Sequence, residues 1–163
     1  MKLRVDTFPT PFGLFTVALD EAGAVVATAF GDAARLQQRL RQPAELHPHP
    51  HACATVRRQL LDYFAGQRRD FDLLLAPAGT SFQARVWSAL RRIPFGETRS
   101  YGQLAAQVGR PAAARAVGRA NATNPLCVLI PCHRVIGANG SLTGFAFGDD
   151  LKRRLLDLER PRA

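Results

Sequence analysis

A cysteine and a histidine stand side by side in Pro131-Cys132-His133-Arg134-Val135. Cysteine attacks as the thiolate, and a neighbouring imidazolium, Arg or Lys lowers the thiol pKa from about 8.5 towards neutrality. His133 and Arg134 supply those neighbours along the chain. Adjacent side chains on an extended strand point in opposite directions, so a working Cys132–His133 pair requires a bridging water or a bend, and Pro131 favours a bend. The competing reading is a buried free cysteine beside an unrelated histidine, since free Cys is among the most buried residue types.

The surroundings of that pair are basic. From Thr98 to Phe147 there is no Asp or Glu, while Arg99, Arg110, Arg115, Arg119 and Arg134 all fall there. Residues 1–79 carry nine Lys/Arg against eight Asp/Glu, whereas residues 80–163 carry thirteen against five, so nearly all of the net charge of +9 belongs to the second half. Such a half suits a polyanion. Arg outnumbers Lys twenty to two, which fits bidentate phosphate contacts but equally a compositional bias of the genome.

At 163 residues and 47% hydrophobic content, the chain has room for one domain or two small ones with an ample core. No apolar run is long enough to span a bilayer, and Met1-Lys2-Leu3-Arg4-Val5-Asp6 lacks the apolar segment of a secretory signal, so a cytoplasmic protein without membrane contact is expected. Cys53, Cys127 and Cys132 form no even disulfide framework, so reduced thiols are expected.

The elements that must position the pair follow from periodicity and punctuation. Lys2–Phe8, Leu14–Leu19 and Ala24–Phe30 read as three short strands of an antiparallel meander. Ala33–Leu40 and Ala52–Phe64 carry helical spacing, the latter through Val56, Leu60, Leu61 and Phe64 with Gly66 as its stop. The turn Ala76-Pro77-Ala78-Gly79 marks a boundary, giving domains 1–79 and 80–163.

The second domain opens with the capping pattern Thr80-Ser81-Phe82-Gln83 and continues through Val86, Trp87, Leu90 and Ile93 to Pro94 and Gly96. A second capping pattern, Ser100 to Gln103, starts a helix that ends at Gly109. Pro111 sits in the first turn of a third helix, Ala112 to about Ala122. The result is helix, short Gly turn, helix. The third helix is lined with Ala112, Ala113, Ala114, Ala116, Gly118 and Ala120, small enough for close approach to a groove, with Arg115 and Arg119 on one face. The alternative is that the alanines pack on the preceding helix and the arginines are merely solvated. After Asn124-Pro125, an apolar strand Leu126–Ile130 delivers Pro131-Cys132. A hairpin around Ala138-Asn139-Gly140 and a last helix, Leu151–Leu158, complete the chain.

Taken in order, Phe82-Gln83-Ala84-Arg85-Val86-Trp87, Ile93-Pro94-Phe95-Gly96, Ser100-Tyr101-Gly102, Ala114-Arg115-Ala116-Val117-Gly118, Asn124-Pro125 and Ile130-Pro131-Cys132-His133-Arg134-Val135 resemble the O6-alkylguanine-DNA alkyltransferases, suicide repair proteins that take an alkyl group from damaged guanine onto their own cysteine. The resemblance runs from about Thr80 to Glu159. It is weaker upstream, in Thr10-Pro11-Phe12-Gly13 and Tyr63-Phe64-Ala65-Gly66. A sister group that binds lesions without transferring alkyl has Trp at the nucleophile position, where this chain has Cys132.

The resemblance implies an α+β protein, with a ribonuclease H-like N-terminal domain built on a small antiparallel sheet with helices, followed by a winged helix-turn-helix domain. It implies direct-reversal repair of O6-methylguanine in double-stranded DNA, with O4-methylthymine as a further candidate lesion, by a monomer using no cofactor and no metal. The recognition helix would enter the minor groove and turn the lesion base out, which costs a few kcal/mol of unstacking. Arg115 would fill the vacated position and Tyr101 would act at the rotating phosphate, with Ala114, Gly118 and Arg119 along the same docking helix. Cys132, a water, His133 and Glu159 would form the activating relay. Asn124 would brace the turn that carries Cys132, and Val135, Ser141 and Phe145 would wall or cap the base pocket.

Phe145, Phe147 and Asp149 depart from the family, which usually has Tyr, Gly and an apolar residue there. The first loses a hydroxyl that could bond the base. Phe147 either narrows the pocket mouth, contacts DNA or packs on the surface. These departures bear on how bulky an alkyl group is tolerated. Some relatives hold a structural zinc in the N-terminal domain, but His47, His49, His51 and Cys53 lie on a Pro-broken segment whose alternating residues share a side and rarely converge on a tetrahedron without a fourth ligand from elsewhere. A flexible loop between two helices is expected there. Two other classes remain open: a helix-turn-helix repressor, which would not need Cys132 beside His133, and a Cys-His hydrolase, which would not need the acid-free Arg surface.

Overall fold

The computed structural model describes residues 1–161; Arg162 and Ala163, at the end of the expected second domain, lie outside the described residues. The chain divides into two compact units, Met1–Ala78 and Gly79 onward.

In the first unit, β1 (Lys2–Thr10), β2 (Gly13–Leu19) and β3 (Val25–Phe30) form the expected meander. A fourth strand, β4 (Glu45–Pro48), adds parallel to β1, giving the order β3-β2-β1-β4. Helices α1 (Ala33–Arg39) and α2 (Ala54–Phe64) complete the unit. Phe15 is fully buried and meets Phe8, Phe30 and Phe64 with ring centroids 6.1, 4.9 and 5.5 Å away. Aromatic contacts of this kind dominate core energetics. Gln59 of α2 holds the following segment by accepting from Asp72 N and donating to Asp72 O, at 3.0 and 3.2 Å.

The expected loop around His47 is therefore part strand. His47 lies in β4, His49 N–H donates to Val5 O, and His49 Nδ1 accepts from Ala52 N. Its alternating spacing, read as a Pro-broken loop, is that of an edge strand, and prolines are tolerated at edges. Cys53 is buried at the start of α2, and burial and the Asp6 charge push its thiol up to about 11. No group of three or more His, Cys, Asp or Glu among the described residues is disposed to hold a metal ion.

The second unit is helical: α3 (Ser81–Arg91), α4 (Tyr101–Gln107), α5 (Ala114–Ala122) and α6 (Asp149–Glu159). Both capping boxes form as their sequences require, Thr80 with Gln83 and Ser100 with Gln103. Helix α5 starts two residues later than its periodicity suggests, because Pro111 and Ala112 form a turn in which Ala113 N–H reaches Arg110 O. Trp87 of α3 is 2% exposed and donates to Ala120 O at 2.8 Å, locking α3 to α5. The wing is minimal: β5 (Arg99–Ser100) pairs parallel with β6 (Val135–Ile136).

Two expected elements are absent. Leu126–Ile130 is not a strand. Ile130 N–H turns back to Leu126 O at 2.8 Å, and Val128 sits at φ 73°, a left-handed conformation that is strained for a β-branched residue. An all-apolar run of five is ambiguous by periodicity, and here Asn124 supplies the hydrogen bonds that a strand partner would otherwise provide. Nor is there a hairpin. Gly137 N–H bonds Ser141 O and Gly140 takes φ 83°, so the turn signal is sound, but β6 is already paired with β5 and no returning strand follows the turn. Among the described residues no helix is long and apolar enough to cross a membrane.

Candidate active site

Cys132 opens a single turn of 3-10 helix, Cys132–Arg134, immediately after Pro131. This is the bend that an adjacent Cys-His pair requires. The loop beneath it is held by Asn124, 1% exposed, whose Oδ1 accepts from Leu126 N at 3.0 Å and whose Nδ2 donates to Ile130 O at 2.8 Å. Both side-chain groups of one amide thus close the turn that presents the thiol, which is itself 5% exposed.

His133 is fully buried, with Nε2 2.7 Å from Glu159 Oε2 at the C-terminal end of α6. Arg134 grips the same carboxylate twice, Nε to Oε1 at 2.7 Å and Nη2 to Oε2 at 3.0 Å, and donates to Ile93 O at 2.7 Å. Arg134 is 7% exposed, so it is a buried clamp and not a phosphate contact. A carboxylate only accepts, so His133 Nε2 carries a hydrogen, and Nδ1 is the ring atom left to take a proton. That Nδ1 is buried with no hydrogen-bond partner among the described residues. Buried polar atoms of this kind are ordinarily satisfied by water. Gly96 makes the arrangement possible: at φ 86°, a Cβ there would stand 3.2 Å from Glu159 O.

Burial would raise the Glu159 carboxyl, but the hydrogen bonds and charges of His133 and Arg134 outweigh it and hold the group at about 2. Its folded value therefore lies below the unfolded one of roughly 4.3, so the associated stability is complete above that pH and is lost as pH falls towards 2. We expect the gap in unfolding free energy between the native protein and Glu159→Gln to shrink by about 1.4 kcal/mol per pH unit across that window, on the order of 3 kcal/mol in all. Urea melts of both proteins at several pH values from 5 down to 2 would measure it; a constant gap would show that Glu159 is not held low.

Tyr101, half-buried at the start of α4, donates its hydroxyl to Thr143 O at 3.1 Å. Burial and the charge of nearby Cys132 raise its pKa, and a hydrogen bond from Asn121 works against them. Two residues that sequence reasoning passed over join it. Lys152 of α6 is completely buried, reaches Thr143 O at 3.2 Å and lies 5.9 Å over the Tyr101 ring. Its pKa is lowered by burial, with the charges of Cys132 and Asp149 opposing. Asn121 of α5, 1% exposed, donates from Nδ2 to Cys132 O at 3.2 Å. A buried lysine is the one signal that could have been suspected from sequence, since Lys152 falls on the apolar face of α6 beside Leu155.

The remaining candidates separate into two groups. Val135 is fully buried and closes the turn by donating its N–H to Cys132 O. Phe145 is 7% exposed and packs edge-on against half-buried Phe147, centroids 5.7 Å apart, so Phe147 packs on its neighbour at least. Asp149 lies in the first turn of α6, where an acid complements the helix dipole, which accounts for its presence. Ser141 belongs to the Gly137–Ser141 turn, its N–H bonded to Asn139 Oδ1. On α5, Arg115 and Arg119 are exposed and make no ion pair among the described residues, while Ala114 and Gly118 are partly exposed beside them. Arg110 lies over the Phe82 ring, and Arg99 pairs with Glu97 at 3.2 Å. Of the five arginines in the acid-free stretch, Arg134 is buried against Glu159 and Arg99 is paired with Glu97, which leaves exposed Arg110, Arg115 and Arg119 open to a phosphate.

Residues 81–161 match the family model described as 6-O-methylguanine DNA methyltransferase, DNA binding domain, and residues 3–77 match the one described as 6-O-methylguanine DNA methyltransferase, ribonuclease-like domain. The Methylated-DNA--protein-cysteine methyltransferase of Mycobacterium tuberculosis is 47% identical over 159 residues, covering 96% of this chain and 92% of that protein. The protein of the same name from Methanosarcina acetivorans is 45% identical over 152 residues, covering 93% and 95%. Among solved structures, that of Mycobacterium tuberculosis OGT in complex with DNA superposes with a TM-score of 0.85 at 44% identity, covering 98% of this chain and 93% of that one.

Proposed function

Because the chain belongs to the 6-O-methylguanine DNA methyltransferase family, we propose that it repairs O6-alkylguanine in double-stranded DNA by moving the alkyl group, once and irreversibly, onto its own Cys132. The observation that carries this reading is the buried line from the Cys132 turn through His133 to Glu159, with His133 Nδ1 buried and unpartnered among the described residues. DNA is the partner, and α5, with its small residues and open Arg115 and Arg119, is the element suited to its groove. O4-methylthymine presents the same alkyl–oxygen bond and is the second candidate lesion.

In the transfer, the Cys132 proton passes by way of a water to His133 Nδ1, while Glu159 and Arg134 hold the imidazole in place. The sulfur bonds to the alkyl carbon, the carbon–O6 bond breaks with its electron pair on the guanine, and the guanine anion takes a proton through water from His133, either directly or by way of Tyr101, which gives up its hydroxyl proton and regains one from His133. The thiol hydrogen has then replaced the alkyl group on the base. The product is a thioether, which offers water no carbonyl and thiols no disulfide sulfur, so nothing returns the cysteine to service. All of these groups come from one chain, so a monomer suffices. A thiol nucleophile in no disulfide, like Cys53 and Cys127, suits the reducing cytoplasm.

Arg115 is assigned the place of the extruded base. Arg115→Ala should slow repair of duplex by about 10- to 100-fold while attack on free O6-benzylguanine barely changes, because only the duplex requires a base to be held out. Equal losses on both substrates would remove Arg115 from that role. The assignment as a whole is tested by incubating the protein with a duplex carrying one O6-methylguanine labelled in its methyl group. The label should end on the peptide that contains Cys132; label left in DNA or released as a small molecule would reject alkyl transfer to the protein.

A further inference from the structure

Asn121 is a buried polar residue of the second unit that the relay does not use. Its Nδ2 donates to Cys132 O at 3.2 Å, which fixes the orientation of the amide, since a flipped amide would set oxygen against oxygen. Cys132 O already accepts the Val135 N–H, so the turn does not need the second bond for satisfaction. Asn121 Oδ1, meanwhile, is buried with no hydrogen-bond partner among the described residues. An amide nitrogen carries two hydrogens, and the Cys132 carbonyl takes one of them.

Tyr101 offers a place for the other. Its ring lies against α5 at Gly118, one turn before Asn121, where a Cβ would stand 3.9 Å from ring atoms Cδ1 and Cε1. The Asn121 amide acts on the Tyr101 hydroxyl, pulling its pKa down against burial and the Cys132 charge. The hydroxyl's present acceptor, Thr143 O, is shared with Lys152 Nζ and is exposed on the Tyr101 side, so that bond is replaceable.

We propose that Asn121 is a positioning residue for the transfer step: from α5 its Nδ2 ties the Cys132 peptide and the Tyr101 hydroxyl into one frame, one hydrogen on the Cys132 carbonyl and the other on the phenol oxygen, which leaves the phenol's own hydrogen for the base. Because the frame is anchored on the helix suited to DNA, docking of that helix aligns sulfur and proton donor together. This deepens the alkyl-transfer reading and rests on it.

A double-mutant cycle tests it. Single-turnover methyl transfer from a saturating O6-methylguanine duplex is measured for the intact protein and for Asn121→Leu, Tyr101→Phe and the double variant, together with affinity for undamaged duplex. Asn121→Leu removes the donating amide and keeps similar bulk, so its duplex affinity should be unchanged while transfer slows by about 10-fold or more. The double variant should be no slower than Tyr101→Phe alone. Multiplied losses in the double variant, or a rate loss matched by lost affinity, would overturn the proposal by showing that Asn121 acts without Tyr101. Should Asn121→Leu fail to fold, Asn121→Ser enters the same cycle with the same criterion. A wild-type protein that transfers no methyl would instead overturn the alkyl-transfer reading, a separate and visible failure.

Discussion

Cys132→Ala is expected to abolish methyl transfer while leaving affinity for methylated duplex almost unchanged. The thiol is 5% exposed and sits above a turn closed by Asn124 and Val135, so removing one sulfur takes away the nucleophile and very little contact surface. Neither remaining thiol can substitute. Cys127 is 1% exposed, and Cys53 is fully buried in the first unit with its pKa pushed to about 11, leaving almost no thiolate near neutral pH. Transfer assays with labelled lesion and gel-shift titrations on the same preparation separate the two effects. Label on Cys53 or Cys127 in the variant would contradict the assignment.

Glu159→Ala should be the most damaging substitution outside the nucleophile. Glu159 is 1% exposed and satisfies two buried cationic or polar partners at once, His133 at 2.7 Å and Arg134 through two bonds. Deleting one member of a buried charged cluster leaves the others unpaired, at a cost of about 3–5 kcal/mol. The imidazole would also lose the group that orients it, so transfer should fall by about 100-fold or more even in the fraction that remains folded. Urea unfolding and single-turnover kinetics report the two losses independently. A variant of unaltered stability would mean that Arg134 and His133 find other partners.

The parts of this architecture that depend on neighbours in sequence could be read directly. Thr80 with Gln83 and Ser100 with Gln103 signalled both helix starts, and the three N-terminal strands followed from alternation and turn residues. The need for a bend or a bridging water between Cys132 and His133 was also visible, because adjacent side chains of an extended chain point apart. What stayed hidden depends on partners far along the chain. The Leu126–Ile130 run resembles a strand until Asn124 is seen to satisfy its backbone, and β4 becomes a strand only because β1 offers it an edge. Arg134 reads as one more basic residue in an acid-free stretch, yet Glu159, twenty-five residues on, buries it. Asn121 looks like an ordinary helix residue, and only the position of the Cys132 carbonyl gives its amide a purpose. The departures at Phe145 and Phe147 could be recognised, but not their mutual packing.

The central claim is that Cys132 is consumed by the reaction, and the stoichiometry of repair tests it most directly. The protein is mixed with a several-fold excess of O6-methylguanine duplex, the amount of restored guanine is followed to completion, and the protein is then digested for mass analysis. Repair should stop at one methyl per protein molecule, with the added mass confined to the peptide bearing Cys132, because a thioether cannot be hydrolysed or exchanged. Continued repair beyond one equivalent with an unmodified Cys132 peptide would contradict the account.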